Sequence, residues 1–560
     1  MIKTRKFLGA VLATSLLLTT SGLLTTGCDT GTNKPQQNTE QDDKKETDTE
    51  EANTGTETKE TQPKTDETVT LNTDLSSIEF AKKLIIGWNL GNTLDAPTET
   101  GWGMPLTTKE MIDAVKAAGF KTIRIPVSWS THVRNDGKYT IDSTWMNRVK
   151  TVVDWAIEDD LYVILNVHHD NYSNSEIESK AGYAISTDSA IQTKSKAFLS
   201  AVWTQIATTF NNSYDEKLIF EVLNEPRDVG SKTEWNIDES NTTLAKSYCN
   251  VITDYENSCI AAIRGTKGNN ANRYIMVPSY AASGTMPVTL KNYTMPTDTA
   301  EDKLLLSAHA YAPYNFAMAN SDSTFGSDDE ASLSSIFNFL DTNFIKKGIG
   351  IVMGEASASN KNNTDERIKW SKYFFGKAKE IGIPVVLWDN MVASPDGENG
   401  SFNGEHHGWL NRNTCTWYFP TITKAMMDTT GVTGYSIPEY KEGDEIKNLG
   451  WNEKSAVTIS TEQKALNWKS EYTPNESYFA DAKKGSILKV SFLAAGANLR
   501  LTNQDWSVTY DKGAKLTDGS DIYYVLTADD ASDWKAHGLT ISGANGTVTS
   551  IKFLATPSAN

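Results

Sequence analysis

Residues 218–226 read LIFEVLNEP, and the parsing of this stretch decides the fold. Residues 218–223 form a short apolar run with the length of a strand, and it stops at Asn224, Glu225 and Pro226. Residues 349–353 repeat the pattern and stop at Gly354 and Glu355. Each run places a carboxylate where a buried strand should emerge from a core.

Moving outward, similar runs occupy residues 84–88, 122–127, 162–167, 274–277, 304–307 and 384–387. Longer helical intervals separate them, among them residues 109–118, 145–158 and 365–381. Apolar runs alternating with helices indicate parallel strands covered on both faces, and eight of them indicate an α/β fold, a (β/α)8 TIM barrel. The runs end in Asn89, Arg124, His168-His169, Asn224-Glu225, Ser279-Tyr280, the segment from His309 to Tyr311, Glu355 and Trp388. Polar and aromatic groups at the C-terminal ends of barrel strands mark the face on which such barrels carry their active sites.

Two carboxylates converging at one end of a barrel are the minimal equipment for glycosidic bond cleavage. One protonates the leaving oxygen and the other attacks the sugar or activates water. Taken singly, each residue has a plainer reading. A Glu at a strand end caps or faces solvent, Trp388 packs in a core and Arg124 braces the barrel. The pair His168-His169 suits a metal, although no third ligand follows at a recognisable spacing. Their joint occurrence at successive strand ends is what favours the chemical reading.

Residues 71–430 resemble a family 5 glycoside hydrolase. The resemblance rests on Gly87-Trp88-Asn89-Leu90-Gly91-Asn92, Arg124-Ile125-Pro126-Val127, His168-His169, Asn224-Glu225-Pro226, His309-Ala310-Tyr311, Gly354-Glu355 and Trp388. The opening GWNLGNTLDA and residues 99–103 resemble a subfamily of endo-β-1,4-glucanases that includes xyloglucanases and mixed-linkage glucanases. Met104 departs from it, where many relatives carry Asn. The resemblance implies a retaining enzyme with Glu225 as general acid/base and Glu355 as nucleophile. The environment of Glu225 should then raise its pKa, and Arg124 and Tyr311 should hold Glu355 as a carboxylate. By the same resemblance Asn224 meets the sugar 2-hydroxyl, and His168, His169 and His309 orient hydroxyls and carboxylates. Trp388 forms a stacking floor, Asn92 and Asp95 contact the neighbouring sugar, and Trp102, Trp129 and His132 are weaker candidates for lining the cleft. The implied partner is plant cell-wall β-glucan, acted on by a monomer without metal or cofactor. A β-mannanase or xylanase on the same scaffold is the alternative. A non-catalytic glycan-binding surface lipoprotein is the alternative of another class, and the presence of both glutamates argues against it.

The formal net charge of -18 and the sequence pI near 5.0 argue against nucleic acid and anionic membrane surfaces as partners. A neutral polysaccharide makes no such demand. Residues 1–28 read as a lipoprotein-type signal: basic Lys3, Arg5 and Lys6, an apolar stretch, then Gly27-Cys28. Cys28 is the expected lipidation site, although Thr25 stands where such motifs prefer an aliphatic residue. Residues 29–70 are acidic and Thr-rich without an aromatic residue, which predicts a disordered tether. The expectation is an exported enzyme anchored by lipid at the cell surface, or else secreted. Cys249 and Cys259 fall within one helix, too far apart for a disulfide, and read as buried apolar residues.

Past residue 430 the pattern changes. Residues 431–445 read as a linker, and residues 446–560 show short alternating runs separated by Gly, Asn and Asp. That predicts an antiparallel β-sandwich. Its close resembles accessory modules appended to bacterial plant-wall hydrolases, which implies carbohydrate binding. Trp451, Trp468, Trp506 and Trp534 are candidates for a stacking platform, or else core residues.

Overall fold

The computed structural model describes residues 68–318, 322–393, 405–441, 449–468, 472–510 and 513–557. The signal region with Cys28, and all but the last three residues of the tether, lie outside them. No helix among the described residues is long and apolar enough to cross a membrane.

Eight parallel strands close into a barrel in chain order: β1 (Ile86–Asn89), β2 (Thr122–Ile125), β3 (Tyr162–Asn166), β4 (Leu218–Glu221), β5 (Ile275–Ser283), β6 (Leu304–His309), β7 (Gly350–Ala356) and β8 (Val385–Leu387). The helices between them are amphipathic and capped. The helix Ser143–Glu158 begins where the Asp142 side chain accepts from the amides of Thr144 and Trp145. It buries Trp145, Met146, Val149, Val152, Val153 and Ala156, the three-and-four spacing of a single face.

Alternation along the strands builds two inward layers of different chemistry. Ile164, Ile219, Met276, Leu305, Val352 and Val386 form one apolar cluster, plugged by Phe80, Ala81 and Leu84 of the helix Ser77–Leu84. That helix fits closely, because a Cβ on Gly350 would lie 2.4 Å from the Ser77 carbonyl oxygen. Two residues further along, the same faces carry Asn89, Arg124, Asn166, Glu221 and Ser307, all essentially inaccessible to solvent. The barrel is therefore an apolar plug at one end and a buried polar layer at the other, and the catalytic residues sit above that layer.

The first part of the region expected as a linker packs on the barrel, and residues 442–448 lie outside the described residues. Val432 is buried in the barrel's outer core, the Ser436 amide donates to the Ala117 carbonyl at 2.7 Å, and the Tyr440 amide donates to Trp417 at 2.9 Å. Residues 432–440 thus belong to the barrel.

The C-terminal module has a large antiparallel sheet and a small one. The large sheet runs β11 (Val457–Ser460), β18 (Gly546–Leu554), β13 (Ile487–Phe492), β16 (Asp521–Val525), β15 (Ala514–Asp518), with β12 (Lys464–Leu466) also on β18. The small sheet pairs β14 (Asn498–Thr502) with β17 (Thr540–Ala544). β9 (Leu410–Asn411) and β10 (Thr416–Trp417) form a separate hairpin before them. The expected sandwich is present, and it includes a helix, Ala528–His537, that hydrophobic periodicity does not reveal. Its signal is the capping box, in which Thr527 and Asp530 satisfy each other's backbone amides. Trp534 on this helix is fully buried among Phe479, Tyr510 and Tyr524, so it is a core residue and not part of a platform.

Candidate active site

Arg124 is the hub of the polar layer. Its Nε donates to Glu221 Oε2 at 2.7 Å, Nη1 to Asn89 Oδ1 at 2.9 Å and to Glu355 Oε1 at 2.7 Å, and Nη2 to Asn224 Oδ1 at 2.7 Å. Burial alone would favour losing its proton, but Glu221 and Glu355 reverse this and raise its pKa. Glu221 is equally buried and also accepts from Asn166 Nδ2 at 2.9 Å and Ser307 Oγ at 2.6 Å. The fixed fork of the guanidinium thereby sets the positions of a structural carboxylate, a reactive carboxylate and an amide at once.

Glu355 reaches this hub through a β-bulge. Ala308 pairs with Met353, but the next residue, His309, pairs with Glu355, so Gly354 is the extra residue. Strict alternation from the inward Val352 would turn Glu355 outward, and the bulge restores it to the barrel axis. The Gly354 carbonyl accepts from Asn89 Nδ2 at 3.0 Å. Glu355 Oε2 accepts from the Tyr311 hydroxyl at 2.8 Å, so each carboxylate oxygen has a donor.

Glu225 lies opposite, 2.8 Å from His309 Nδ1 through Oε1. Oxygen atoms of Glu225 and Glu355 and a ring nitrogen of His309 lie within 4.8 Å of one another. That spacing suits a nucleophile and an acid/base acting on one bond, and leaves too little room for the water of an inverting pair. Burial pushes the Glu225 carboxyl up, but the hydrogen bond and charge of His309, with Arg227 and Arg124, bring it below its ordinary value. His309 is correspondingly raised, since Glu355 and Glu225 outweigh its own burial. This corrects the expectation of a raised Glu225, because His309 faces it across a hydrogen bond.

Trp388 follows β8 and is 8% exposed. Its ring lies parallel to that of His168, with centroids 6.0 Å apart. Gly91 must lack a side chain, because a Cβ there would lie 2.8 Å from the Trp388 ring. Asn166 donates to Glu221 and also approaches His168 Nδ1 at 3.0 Å, which makes His168 Nε2 the ring donor. Burial drives the His168 pKa well down, so it acts as a neutral imidazole. His169 and the exposed Trp102 stand together at the rim, 5.6 Å apart.

Asp95 is 1% exposed, and its carboxylate accepts the amides of Thr93 at 2.6 Å and Asn92 at 3.0 Å. It shapes the loop that carries Asn92, which has φ +58. Burial raises its pKa to about 6. Trp129 is wholly buried, with Nε1 on the Asn166 carbonyl, and His132 stacks on Trp145 at 3.7 Å. Motif reading missed four supporting residues. Glu221 was the visible signal, a charge inside an otherwise apolar run. Arg227 donates from Nη1 to the Glu225 carbonyl oxygen at 3.0 Å. Arg412 binds the Gly91 carbonyl, Thr93 Oγ1 and the Asp389 carbonyl, joining the ends of β1 and β8. Asp389 accepts from Trp88 Nε1 at 2.8 Å. No local motif announces Arg412.

The third neighbour that spacing failed to supply for His168-His169 is Asp95, whose donor atom lies within 4.8 Å of theirs. The group is a poor fit to a cation, because the Asp95 oxygens already accept two amides and His168 Nδ1 faces Asn166.

Residues 89–394 match the Cellulase (glycosyl hydrolase family 5) family model. The chain is 41% identical over 369 residues to the cellulase/esterase CelE of Acetivibrio thermocellus, spanning 64% of this chain but only 41% of that protein. It is 41% identical over 389 residues to endoglucanase A of Clostridium longisporum, covering 66% of this chain and 68% of the relative. Among solved structures, a GH5-4 broad specificity endoglucanase from Ruminococcus champanellensis with bound cellotriose is 39% identical, with a TM-score of 0.57 over 64% of this chain and all of that one.

Proposed function

This chain belongs to glycosyl hydrolase family 5, and from that membership we propose that it is a retaining endo-β-1,4-glucanase acting on plant-wall glucans. The observation that carries the reading is the hydrogen-bonded arrangement of Glu355, Arg124, Tyr311, His309 and Glu225, with the two carboxylates at the spacing of a displacement enzyme.

Glu355 attacks the anomeric carbon while the glycosidic bond breaks, and the proton held between His309 and Glu225 passes through Glu225 to the leaving oxygen. The resulting glycosyl ester neutralises Glu355, removing a negative charge that had kept the proton in the cleft. Glu225, now without a proton, takes one from the water that attacks the same carbon and expels Glu355. Asn224 Oδ1 is occupied by Arg124 Nη2, so its amide nitrogen is presented to the sugar 2-hydroxyl, where the bond strengthens in the transition state. The Trp388 face offers a platform for the C–H side of a pyranose.

For placement in the cell we propose acylation of Cys28, with residues 29–70 as a tether to the outer surface. Cys28→Ser should release the protein from membranes, and equal membrane retention would refute the anchor.

Reducing-sugar release across carboxymethylcellulose, mixed-linkage glucan, xyloglucan, glucomannan and xylan, with NMR of the first product anomer, tests the catalytic reading. The expected result is fastest release from a β-1,4-glucan and β-anomer first. An initial α-anomer would overturn retention. Preference for a mannan or xylan would favour the alternative on this scaffold.

A further inference from the structure

We propose that the C-terminal module carries a second, non-catalytic binding site for a neutral β-linked glucan, in the cleft bordered by Trp468, Asn498, Arg500 and Tyr510. The choice of glucan as ligand rests on the function proposed above.

The cleft encloses about 440 Å³ where the small sheet meets the edge strand β15 of the large one. The four module tryptophans have different fates. Trp534 is core, and Trp451 packs edge-on against Tyr523. Trp468 and Trp506 are 46% and 37% exposed. Both exposed residues have φ +65, a left-handed conformation that disfavours a bulky side chain. Backbone strain that keeps an indole in solvent is an observation requiring a function. Arg500 lines the cleft and lies over the Trp506 ring, 5.6 Å from its centroid, a cation–π contact that braces this second exposed indole.

The strand register supplies an independent observation. Leu499, Leu501 and Ile541 point into the module core. The opposite face of the small sheet therefore carries Asn498, Arg500 paired across from Ser542, and Thr502 paired across from Thr540. Thr502, Thr540 and Ser542 are fully buried, and their hydroxyls have no hydrogen-bond partner. Of that face, Asn498 and Arg500 border the cleft and give it an amide and a guanidinium.

An indole face beside amide, guanidinium and hydroxyl groups matches a chain with C–H faces and hydroxyl edges. Among the described residues, those bordering the cleft include no carboxylate, and Lys515 joins Arg500 there, which disfavours a cation. The net charge of -18 opposes the approach of a polyanion.

Affinity electrophoresis of the full chain in native gels containing hydroxyethylcellulose, xyloglucan or polygalacturonate, with Trp468→Ala, Trp468→Gly and Arg500→Ala, tests this site. Trp468→Gly suits the left-handed backbone and guards against a misfolded alanine variant. To silence the catalytic cleft's own turnover, each is also run on a Glu355→Gln background. The expected result is about tenfold weaker retention by a neutral glucan, as for loss of an aromatic anchor, with aryl-cellobioside hydrolysis by the single variants unchanged. Equal retention of all three variants and the parent would overturn the site. Retention by polygalacturonate alone, lost in Arg500→Ala, would also overturn it, since the ligand would then be a polyanion. Failure to hydrolyse any glucan would instead refute the catalytic reading, and the retention data would stand apart from it.

Discussion

In the barrel, all three guanidinium nitrogens of the fully buried Arg124 reach an oxygen of Glu221, Asn89, Glu355 or Asn224. In the C-terminal module, the buried hydroxyls of Thr502, Thr540 and Ser542 reach none, and around them the core is largely apolar and aromatic, with Asp530 held by Tyr524. Burying charge costs stability even when it is paired, so a core that does it throughout one layer is built for something besides folding. The barrel spends its stability holding two carboxylates at a fixed spacing inside the fold. The module folds around Trp534, Leu488 and Phe553 and leaves Trp468 and Trp506 exposed. Substitution should therefore couple stability to chemistry in the barrel and separate them in the module.

The largest expected effect is that of Glu355→Gln, which removes the nucleophile and should abolish turnover on every substrate while leaving the module's melting transition in place. Residual hydrolysis near the parent rate would show that another group attacks. Next, Glu225→Ala should slow polymer hydrolysis by about 10²- to 10⁴-fold. Aryl glycosides, whose leaving groups need little protonation, should suffer far less, and azide should restore turnover as a β-glycosyl azide. If Glu355→Ala is the variant rescued in this way, the two roles are exchanged.

A stability pair sharpens the contrast. Glu221→Gln leaves Arg124 partly unpaired in the barrel layer and should cost about 3–5 kcal/mol together with activity. Trp534→Ala should cost about 3–5 kcal/mol of the module's stability while hydrolysis of a soluble glucan persists. Calorimetry with a parallel rate assay distinguishes them, and loss of hydrolysis in Trp534→Ala would mean that the two regions are coupled.

The pH dependence is a smaller effect. Asp95 has a folded pKa of about 6 against about 3.9 for an unfolded aspartate, so the native state binds this proton more tightly. Its contribution declines as pH climbs from about 4 through about 6, by about 3 kcal/mol, and is flat above that. Chemical denaturation across that window should show a shallower decline in Asp95→Asn than in the parent, and identical slopes would refute the assignment. The smallest effect, none at all, is expected of EDTA, since both catalytic roles belong to carboxylates. Loss on chelation restored by a divalent ion would recast Asp95, His168 and His169 as ligands.

The barrel was legible because its strands are apolar runs with polar ends, and each of the eight appears within a few residues of its expected place. Glu225, Glu355, Arg124, Tyr311 and Trp388 could be identified because short motifs hold them at strand ends. The helix over Ala528–His537 was not read because its face is short and polar, and the residues after 430 look like a linker because their contacts are long-range.

What the sequence determined by itself is local: strand length and apolarity, the polar residue that ends each run, and a net charge that argues against anionic partners. Tertiary structure decided the rest. Alternation alone would point Glu355 away from the barrel axis, and only the bulge at Gly354, fixed by pairing with β6, turns it inward. Asp95 became a loop anchor because two backbone amides reached it first. The Glu225 pKa fell and did not rise because His309, 84 residues away in the chain, stands 2.8 Å from it. Direction, proton sharing and satisfaction of buried groups depend on neighbours brought from distant strands, and a linear pattern holds no record of them.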